Sequence, residues 1–317
     1  MTITLNEIVK LIKEFDNFLI LTHRRPDGDT LGCAGGLAQG LGELGKTAHV
    51  LPNPETTPRY MQLVEDYLAP ENYVPQCIIT VDTATLDLLP ENALKYADKI
   101  TICIDHHSSN PLYAKYTYLD AQCASCGELV YDILIALSGS VSAKTAGHLY
   151  AALSTDTGCF AYANTTAKVL QTAARLIEAG APHREMNKAF FRTRTRSRVK
   201  IEGAIFSEME FCFNGAVAIA TITRAMLEQS GAVEDDLDDI ASLPGSIEGV
   251  VVGITIRELT SERDCKISVR SSPSVNSNEI CAHFGGGGHA MAAGASVNGT
   301  IGEIKERLYS ILSEIFK

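Results

Sequence analysis

The sequence lacks several features that mark specialised classes of protein. No run of eighteen apolar residues occurs among its 317 residues, so no transmembrane helix is predicted. The N-terminus shows no basic segment followed by an apolar core and a small-residue cleavage site, so no signal peptide is predicted. There is also no internal repeat and no low-complexity tract. These absences favour a cytoplasmic globular protein without a membrane partner.

The nine cysteines lack the spacing of a disulfide framework or a zinc site. Their odd number and scattered positions are typical of reduced, buried thiols. Cys123 and Cys126 form one CxxC motif, but no second pair stands at zinc-ligand spacing. Because Ser125-Cys126-Gly127-Glu128 has the pattern of a capping box, we interpret both cysteines as structural.

An excess of positive charge is missing as well. The 27 lysines and arginines face 38 aspartates and glutamates, which gives a net charge of −11. Proteins that track long DNA or RNA draw much of their affinity from basic surfaces, so a long nucleic acid is not expected as a partner. An acidic protein that handles phosphates must rely on metal ions and a few placed cations, which favours a small substrate.

Short apolar runs alternate with helical patterns over the first half of the chain, which predicts a parallel α/β sheet. The predicted strands are 18–22, 47–51, 77–81 and 100–104. The predicted helices are an amphipathic one at the N-terminus and others near 30–44, 59–68, 125–137, 143–153 and 165–179.

Beyond about residue 180 the pattern changes to that of a smaller α+β unit. Its predicted strands are 216–222, 249–257, 266–270 and 293–297, with helices near 223–231, 276–283 and 300–316. The expected organisation is a first domain of residues 1–185, a linker of 186–200 and a second domain of 201–317. The acidic run at 234–239 is predicted to begin a solvated helix.

Four arginines stand at alternate positions of the predicted linker: Arg192, Arg194, Arg196 and Arg198. One interpretation is a solvated linker face, which is the usual role of a charge run. The other is that some of these arginines face a cleft between the domains and meet phosphate.

Three predicted strands of the first domain end in residues that commonly bind metals. The first runs into the segment 23–29, the third ends at Asp82, and the fourth ends at the segment 105–107. Ligands of open parallel sheets bind beyond the carboxyl ends of the strands, so these residues should converge. Asp156 adds a further carboxylate after an apolar helix. One such Asp is an ordinary cap or turn residue, but the four groups together indicate a site.

The candidate ligands are carboxylates and imidazoles, without a thiolate. Such donors suit Mn²⁺ or Mg²⁺ better than structural zinc. There are at least six candidate ligands, which is more than one ion needs, so two ions about 3.5–4 Å apart are expected. Such a pair of ions stabilises both the attacking and the leaving oxygen of a displacement at phosphorus. The Pro-Asp-Gly-Asp turn can direct Asp27 and Asp29 toward different ions.

These motifs resemble those of the DHH phosphoesterase family. The matching segments are T-H-R-R-P-D-G-D-T-L-G at 22–32, D-T at 82–83, D-H-H at 105–107 and S-T-D-T-G at 154–158. V-R-S-S at 269–272 and F-G-G-G-G-H-A-M-A-A-G at 284–294 resemble the DHHA1 domain. The resemblance covers nearly the whole chain and implies a parallel-sheet α/β DHH domain followed by a smaller α+β DHHA1 domain.

The resemblance also implies how the ligands are shared. One ion would be held by His23, Asp27 and Asp82, and the other by Asp29, Asp82, His106 and Asp156. Asp82 would therefore bridge the two ions. The ions would be Mn²⁺, with Mg²⁺ or Co²⁺ as alternatives.

The remaining residues of the D-H-H triplet have implied roles in catalysis. His107 would face the phosphate as an acid or a charge stabiliser, and Asp105 would orient a histidine. Cys33 stands where the family usually has a small residue such as serine, a departure that touches no ligand.

Substrate-binding residues are expected in the second domain, and the resemblance implies that they grip the part of the substrate distant from the metals. Gly285, Gly286, Gly287 and Gly288 permit positive φ and close backbone approach, and their N–H groups could form an anion nest. A helix or tight turn at His289 would add a donor. Arg270 suits bidentate phosphate binding, with Ser271 beside it. The alternative for the glycines is a tight packing turn.

Compact chains of this domain makeup resemble the nano-RNase and pAp-phosphatase group of the family. The resemblance implies hydrolysis of oligonucleotides of a few residues, of linear dinucleotides, or of 3′-phosphoadenosine 5′-phosphate (pAp). Alternatives are hydrolysis of a cyclic dinucleotide or short polyphosphate, and a catalytically silent nucleotide-binding protein, which would have lost ligands that this sequence retains. The sequence does not distinguish between the short substrates. It also does not determine which of the three metals is bound or whether the chain forms a homodimer.

Overall fold

A computed structural model describes residues 1–316. The chain forms two compact units, Met1–Thr193 and a second that begins at Arg194. Within residues 1–316, no helix combines the length and the apolar character needed to cross a membrane.

The first unit contains a five-stranded, fully parallel sheet with the order β2-β1-β3-β4-β5. Its strands are β1 (Phe18–Leu21), β2 (Ala48–Val50), β3 (Cys77–Val81), β4 (Ile102–Asp105) and β5 (Tyr116–Leu119). Every residue of β1, β3 and β4 is buried, as expected of a parallel sheet covered on both faces. The four predicted strands are confirmed to within two residues, whereas β5 was not predicted.

The α-helices of this unit pack on the face of the sheet that carries Phe18 and Ile20. They are α1 (Leu5–Glu14), α2 (Gly28–Glu43), α3 (Pro58–Met61), α4 (Cys126–Ser138), α5 (Ala143–Asp156), α6 (Ala167–Glu178) and α7 (His183–Asn187). The helix predicted near 59–68 is instead the single turn α3 and a 3₁₀ turn at Glu65–Tyr67. A 3₁₀ segment, Glu91–Lys99, lies on the face that carries Leu19 and Leu21.

Close contact between α2 and α5 positions the site described below. Glycines recur at every fourth residue of α2, so one side of this helix has no side chains. A Cβ atom on Gly32 would lie 2.6 Å from the carbonyl oxygen of His148, and one on Gly28 would overlap the side chain of Thr155. The start of α2 is therefore held against the end of α5.

The second unit contains a six-stranded mixed sheet with the order β10-β11-β9-β8-β7-β6, in which only β7 and β8 are parallel. Its strands are β6 (Glu210–Cys212), β7 (Val217–Ile222), β8 (Val252–Glu258), β9 (Asp264–Ser271), β10 (Gly287–His289) and β11 (Ala292–Asn298). Its helices are α8 (Arg196–Ser207), α9 (Arg224–Ser230), α10 (Ser277–Ala282) and α11 (Ile301–Ile315). The predicted strands and helices are present, and β6, β10 and α8 are additional.

The segment expected as a linker, residues 186–200, is helical over much of its length. A π-helical turn, Lys188–Arg192, follows α7, and α8 begins at Arg196. Arg194 and Arg198 each place Nε within 3.0 Å of a carboxylate oxygen of Glu202, which lies on the next turn of α8. These two arginines are therefore ion-paired within the unit, an arrangement that neither sequence interpretation included.

The acidic run at 234–239 is not a solvated helix. Residues Glu234–Leu237 form a 3₁₀ turn, and the side chain of Asp236 is buried. It accepts hydrogen bonds from the hydroxyls of Thr195 and Ser197 and from the backbone N–H of Val233. The carboxylate therefore ties this turn to the start of α8.

Candidate metal centre

The candidate ligands of the first unit lie together at the carboxyl edge of its parallel sheet. The strands β1, β3 and β4 end there, α2 begins there and α5 ends there. These elements bring six side chains within reach of one another: His23, Asp27, Asp29, Asp82, His106 and Asp156.

Asp27 and Asp29 are placed by the first turn of α2. Asp27 is the N-cap residue, and its Oδ1 accepts hydrogen bonds from the backbone N–H groups of Asp29 (3.0 Å) and Thr30 (3.2 Å). The helix dipole favours negative charge at this end. The Pro-Asp-Gly-Asp sequence is thus a helix start that carries two carboxylates into the site.

Asp82 occupies the middle of the cluster. Its φ of +51° is left-handed, a conformation that Asp tolerates better than most residues, and its N–H donates to the carbonyl of Ile104 (2.9 Å). Oδ2 lies 3.7 Å from Nε2 of His23, and Oδ1 lies 3.3 Å from Nε2 of His106. Across residues 1–316, nothing donates a hydrogen bond to the buried Oδ1. A buried carboxylate oxygen without a donor is costly unless a cation meets it.

The two histidines are oriented so that Nε2 faces the carboxylates. Nδ1 of His23 lies 2.8 Å from the carbonyl of Arg24, and Nδ1 of His106 lies 3.1 Å from the carbonyl of Cys123. A carbonyl only accepts, so Nδ1 carries a proton in each ring, and Nε2 is the nitrogen that could bind a metal ion once its own proton is displaced. This orientation is typical of metal-binding histidines.

The pKa values of these groups are shifted because several ionisable side chains lie close together in a buried site. Burial lowers the pKa of His23, but attraction to the nearby carboxylates of Asp27 and Asp82, each 3.7 Å from Nε2, outweighs it and raises that pKa to about 11. Burial, followed by the nearby carboxylates of Asp82 and Asp156, raises the pKa of Asp29 well above its ordinary value. The pKa of Asp156 rises to about 6, mainly through burial. A bound cation would relieve this crowding by taking the place of protons.

The donor set fits a divalent metal ion. Three groups have ligand atoms within 4.8 Å of one another: His23, Asp27 and Asp82; Asp29, His106 and Asp156; and Asp82, His106 and His107. Every donor atom is a carboxylate oxygen or an imidazole nitrogen, which suits Mn²⁺ or Mg²⁺. The cluster could therefore hold metal, and Asp82 and His106 each take part in two of the groups.

A hydrogen-bonded chain holds His107 beside the cluster. The buried Asp105 accepts from Nδ1 of His107 (2.8 Å) through Oδ1 and from Nδ2 of Asn110 (2.6 Å) through Oδ2. The bond to Asp105 is the main reason that the pKa of His107 is raised. Because Nδ1 is engaged, Nε2 is the nitrogen left for a substrate. Asn110 is not among the residues expected from the sequence, where its only signal is an Asn-Pro turn after the D-H-H triplet.

Arg270 and His289 lie in one row of the second sheet. Ala292 of β11 pairs with Arg270 of β9 on one side and with His289 of β10 on the other. Directly paired residues share a face, so both side chains project from the same face, about 10 Å apart at the usual strand spacing. The adjacent Ser271 instead donates to the carbonyl of Val275 (2.6 Å), which fixes the following loop.

The glycine run does not form an open anion nest. The N–H groups of Gly285, Gly286 and Gly288 already donate to Ala282, Cys281 and the side chain of Asn278, respectively. A Cβ on Gly288 would lie 2.6 Å from the carbonyl of Ala292, and one on Gly286 would overlap that of Gly294. These glycines therefore allow close packing against β11, the alternative weighed from the sequence. Of the two alternatives at His289, the tight turn is present and the helix is not, because β10 turns back into β11.

Comparison with known proteins gives matches over most of the chain. Residues 17–153 match the model of the DHH family N-terminal domain, and residues 214–317 match that of the DHHA1 domain. The bifunctional oligoribonuclease and PAP phosphatase NrnA of Thermus thermophilus is 32% identical over 88% of this chain and 84% of its own length. Its Bacillus subtilis namesake is 27% identical over 92% of each chain. A crystal structure of an exopolyphosphatase-related protein from Bacteroides fragilis superposes with a TM-score of 0.87 at 24% identity, covering 98% of this chain and 96% of that one.

Proposed function

Because this chain belongs to the DHH phosphoesterase family, with a DHHA1 domain after its DHH domain, we propose that it hydrolyses very short oligonucleotides, linear dinucleotides and pAp with the help of two Mn²⁺ ions. Curated relatives that align along most of their length are named for oligoribonuclease and PAP phosphatase activity. The observation that carries the proposal is the cluster of carboxylates and imidazoles around Asp82, whose buried Oδ1 accepts no hydrogen bond from residues 1–316.

The positions of the side chains support the ligand sets that the family resemblance implies. His23, Asp27 and Asp82 would hold one ion, and Asp29, Asp82, His106 and Asp156 the other. When bound, such ions neutralise phosphate charge and lower the pKa of a water molecule that serves as the nucleophile. In support, both histidines keep Nε2 toward the carboxylates, and no thiolate is present in the cluster.

The chain's own acid would be His107. Asp105 holds the ring by Nδ1 and favours the charged imidazolium, so Nε2 can donate a proton to the departing oxygen or stabilise the negative phosphate. Asn110 fixes the other oxygen of Asp105 and so limits rotation of that carboxylate. The Asp105–His107 pair therefore supplies an oriented proton donor next to Asp82.

Substrate length is the first test of this function. We expect kcat/KM to be highest for pAp and for substrates of about two to five nucleotides, and to fall at least tenfold by twenty nucleotides, because an acidic chain has few cations to hold a longer strand. Initial rates on pAp, pApA, pGpG and RNA of two, five, ten and twenty nucleotides would measure this. Equal rates on the two-mer and the twenty-mer would contradict the proposal.

Arg270 and His289 are proposed to bind the part of the substrate away from the metals, with Ser271 and residues 285–288 shaping that surface. Replacing Arg270 by alanine should raise KM for a dinucleotide about tenfold or more, the usual effect of losing a charged hydrogen bond. A small chromogenic phosphodiester has no second nucleotide for Arg270 to bind, so the rate of its hydrolysis should change little.

Lys266→Ala is the matched control, since Lys266 is an exposed cation on the same face of β9 as Arg270. It should leave KM for both substrates unchanged. Arg270→Ala or His289→Ala variants that are impaired equally on the two substrates would place these side chains in the chemistry instead of in binding.

A further inference from the structure

Three donors from residues 125–127 hold the carboxylate of Asp29. Ser125 Oγ (2.9 Å) and the N–H of Gly127 (3.2 Å) donate to Oδ1, and the N–H of Cys126 donates to Oδ2 (2.8 Å). Asp29 and Ser125 are both almost fully buried. The N-terminus of α4 is therefore directed at this carboxylate, where its dipole favours negative charge.

The same stretch of chain reaches two other candidate ligands. The carbonyl of Cys123 accepts from Nδ1 of His106 (3.1 Å). The side-chain amide of Asn164 donates both to the carbonyl of Ala124 (3.2 Å) and to the backbone carbonyl of Asp156 (3.1 Å). Residues 123–128, Cys-Ala-Ser-Cys-Gly-Glu, thus contact Asp29 and His106 directly and Asp156 through one amide.

The 123–128 segment is itself anchored from behind. Oε1 of the buried Glu128 accepts from the N–H of Ala124 (2.7 Å), so the predicted capping box closes one residue earlier than its usual form. Lys168 lies 3.3 Å from the sulfur of Cys123 and 3.2 Å from a carboxylate oxygen of Asp132. The segment therefore has a fixed conformation from which to hold other groups.

We propose that the 123–128 segment positions one of the two proposed metal sites, that of Asp29, His106 and Asp156, with Ser125 as its central positioning residue. This inference rests on the proposed two-metal function. Oδ1 of Asp29 accepts from Ser125, Gly127 and the thiol of Cys33 (3.2 Å), so three protein donors occupy it. The expectation that Cys33 touches no candidate ligand is therefore wrong. Oδ2, which lies 3.8 Å from Nε2 of His106, is then the oxygen presented to an ion.

The role of the CxxC motif follows from these contacts. Cys123 contributes a carbonyl and Cys126 a backbone N–H, while the thiol of Cys126 donates to the carbonyl of Ile104 (3.3 Å). The motif holds the ligands and is not itself a ligand pair.

Mn²⁺ binding to the full-length protein, freed of metal by chelation, tests the inference without an activity assay. Unbound Mn²⁺ followed by electron paramagnetic resonance should show two binding steps in the original protein. Ser125→Ala should weaken one step about tenfold or more, the usual cost of removing a group that orients a ligand, and should leave the other within twofold.

Ser142→Ala is the matched control. Ser142 is also a helix N-cap whose hydroxyl contacts a carboxylate, that of Glu43, but it stands at the opposite end of the 14-residue α5 from Asp156. At 1.5 Å per residue it is about 20 Å from the cluster. The Ser142→Ala variant should lose a similar amount of helix-capping free energy and keep both Mn²⁺-binding steps.

Asn164→Ala is the second variant, for the case that Ser125→Ala does not fold. Asn164 is exposed, so its replacement should leave the fold intact, and loss of its contact with Asp156 should weaken the same Mn²⁺-binding step. Two unchanged steps in both Ser125→Ala and Asn164→Ala, matching Ser142→Ala, would overturn the positioning role while leaving the proposed function intact. Fewer than two steps in the original protein would overturn the two-metal proposal and this inference with it.

Discussion

Replacing Asp82 by asparagine is expected to lower kcat by about a thousandfold or more, since removal of a single charge-stabilising group already costs about 10²–10³ in such sites and this carboxylate would serve two ions. Its two oxygens lie toward His23 on one side and His106 on the other. Loss of its charge should therefore disturb both proposed ions.

Asparagine is the informative replacement because Asp82 has a φ of +51°. Asn tolerates this left-handed conformation, whereas alanine would add about 1 kcal/mol of backbone strain to the loss of a ligand. The Asn variant keeps the shape of the side chain and removes only its negative charge. A loss of activity can then be assigned to the carboxylate and not to a displaced strand end.

The measurement pairs turnover with metal content for Asn variants of Asp27, Asp29, Asp82 and Asp156. The Asp82 variant should bind less than one Mn²⁺ per chain, while each of the other three keeps about one. Asp87→Asn, an exposed carboxylate five residues farther along, should behave as the unchanged protein does. Two tightly bound ions together with substantial turnover in the Asp82 variant would show that this residue does not bridge.

The strands of the first sheet and the convergence of the candidate ligands at its edge could be predicted for one physical reason. A buried parallel strand needs a continuous apolar run, and its carboxyl end opens onto a common edge of the sheet. β3 illustrates both properties, because five apolar or buried residues lead directly into Asp82. Once the runs are located, the polar residues that follow them are expected to meet.

Elements with partly exposed side chains were missed for the opposite reason. β5 is half-exposed and β6 and β10 are three-residue strands, so none of them shows a buried apolar run. α8 begins within an arginine-rich stretch that has the composition of a linker. Only the tertiary contacts, such as Arg198 with Glu202, show that these charges are internal partners.

The residues that hold the candidate site residues in place could not be predicted from the sequence either. Ser125 contacts Asp29, which lies 96 residues away in the sequence, and Asn110 contacts Asp105. No spacing rule connects such residues. The glycine run at 285–288 is a similar case. Its composition shows that φ is free to vary, but it does not show whether the N–H groups already donate hydrogen bonds within the chain.

Removal of divalent ions is expected to abolish hydrolysis, and Mn²⁺ should restore it best among Mn²⁺, Mg²⁺ and Co²⁺. Without a cation the cluster brings four carboxylates together, and protons substitute for the metal, as the raised pKa values of His23 and Asp29 indicate. Imidazole nitrogens among the donors favour Mn²⁺ over Mg²⁺, which prefers oxygen ligands and retained water.

Two measurements besides activity follow from the same argument. Binding must displace the proton that His23 holds at neutral pH, so Mn²⁺ added to metal-free protein in weak buffer should release protons. Mn²⁺ at a hundred times its dissociation constant should raise the free energy of unfolding by about 2.7 kcal/mol for each site that binds only the folded chain. Dialysis against a chelator, followed by separate additions of each metal, tests all three effects on one sample. Full hydrolysis of a dinucleotide in excess chelator, with no proton release and no change in melting temperature on adding Mn²⁺, would rule out a metal-dependent reaction at this cluster.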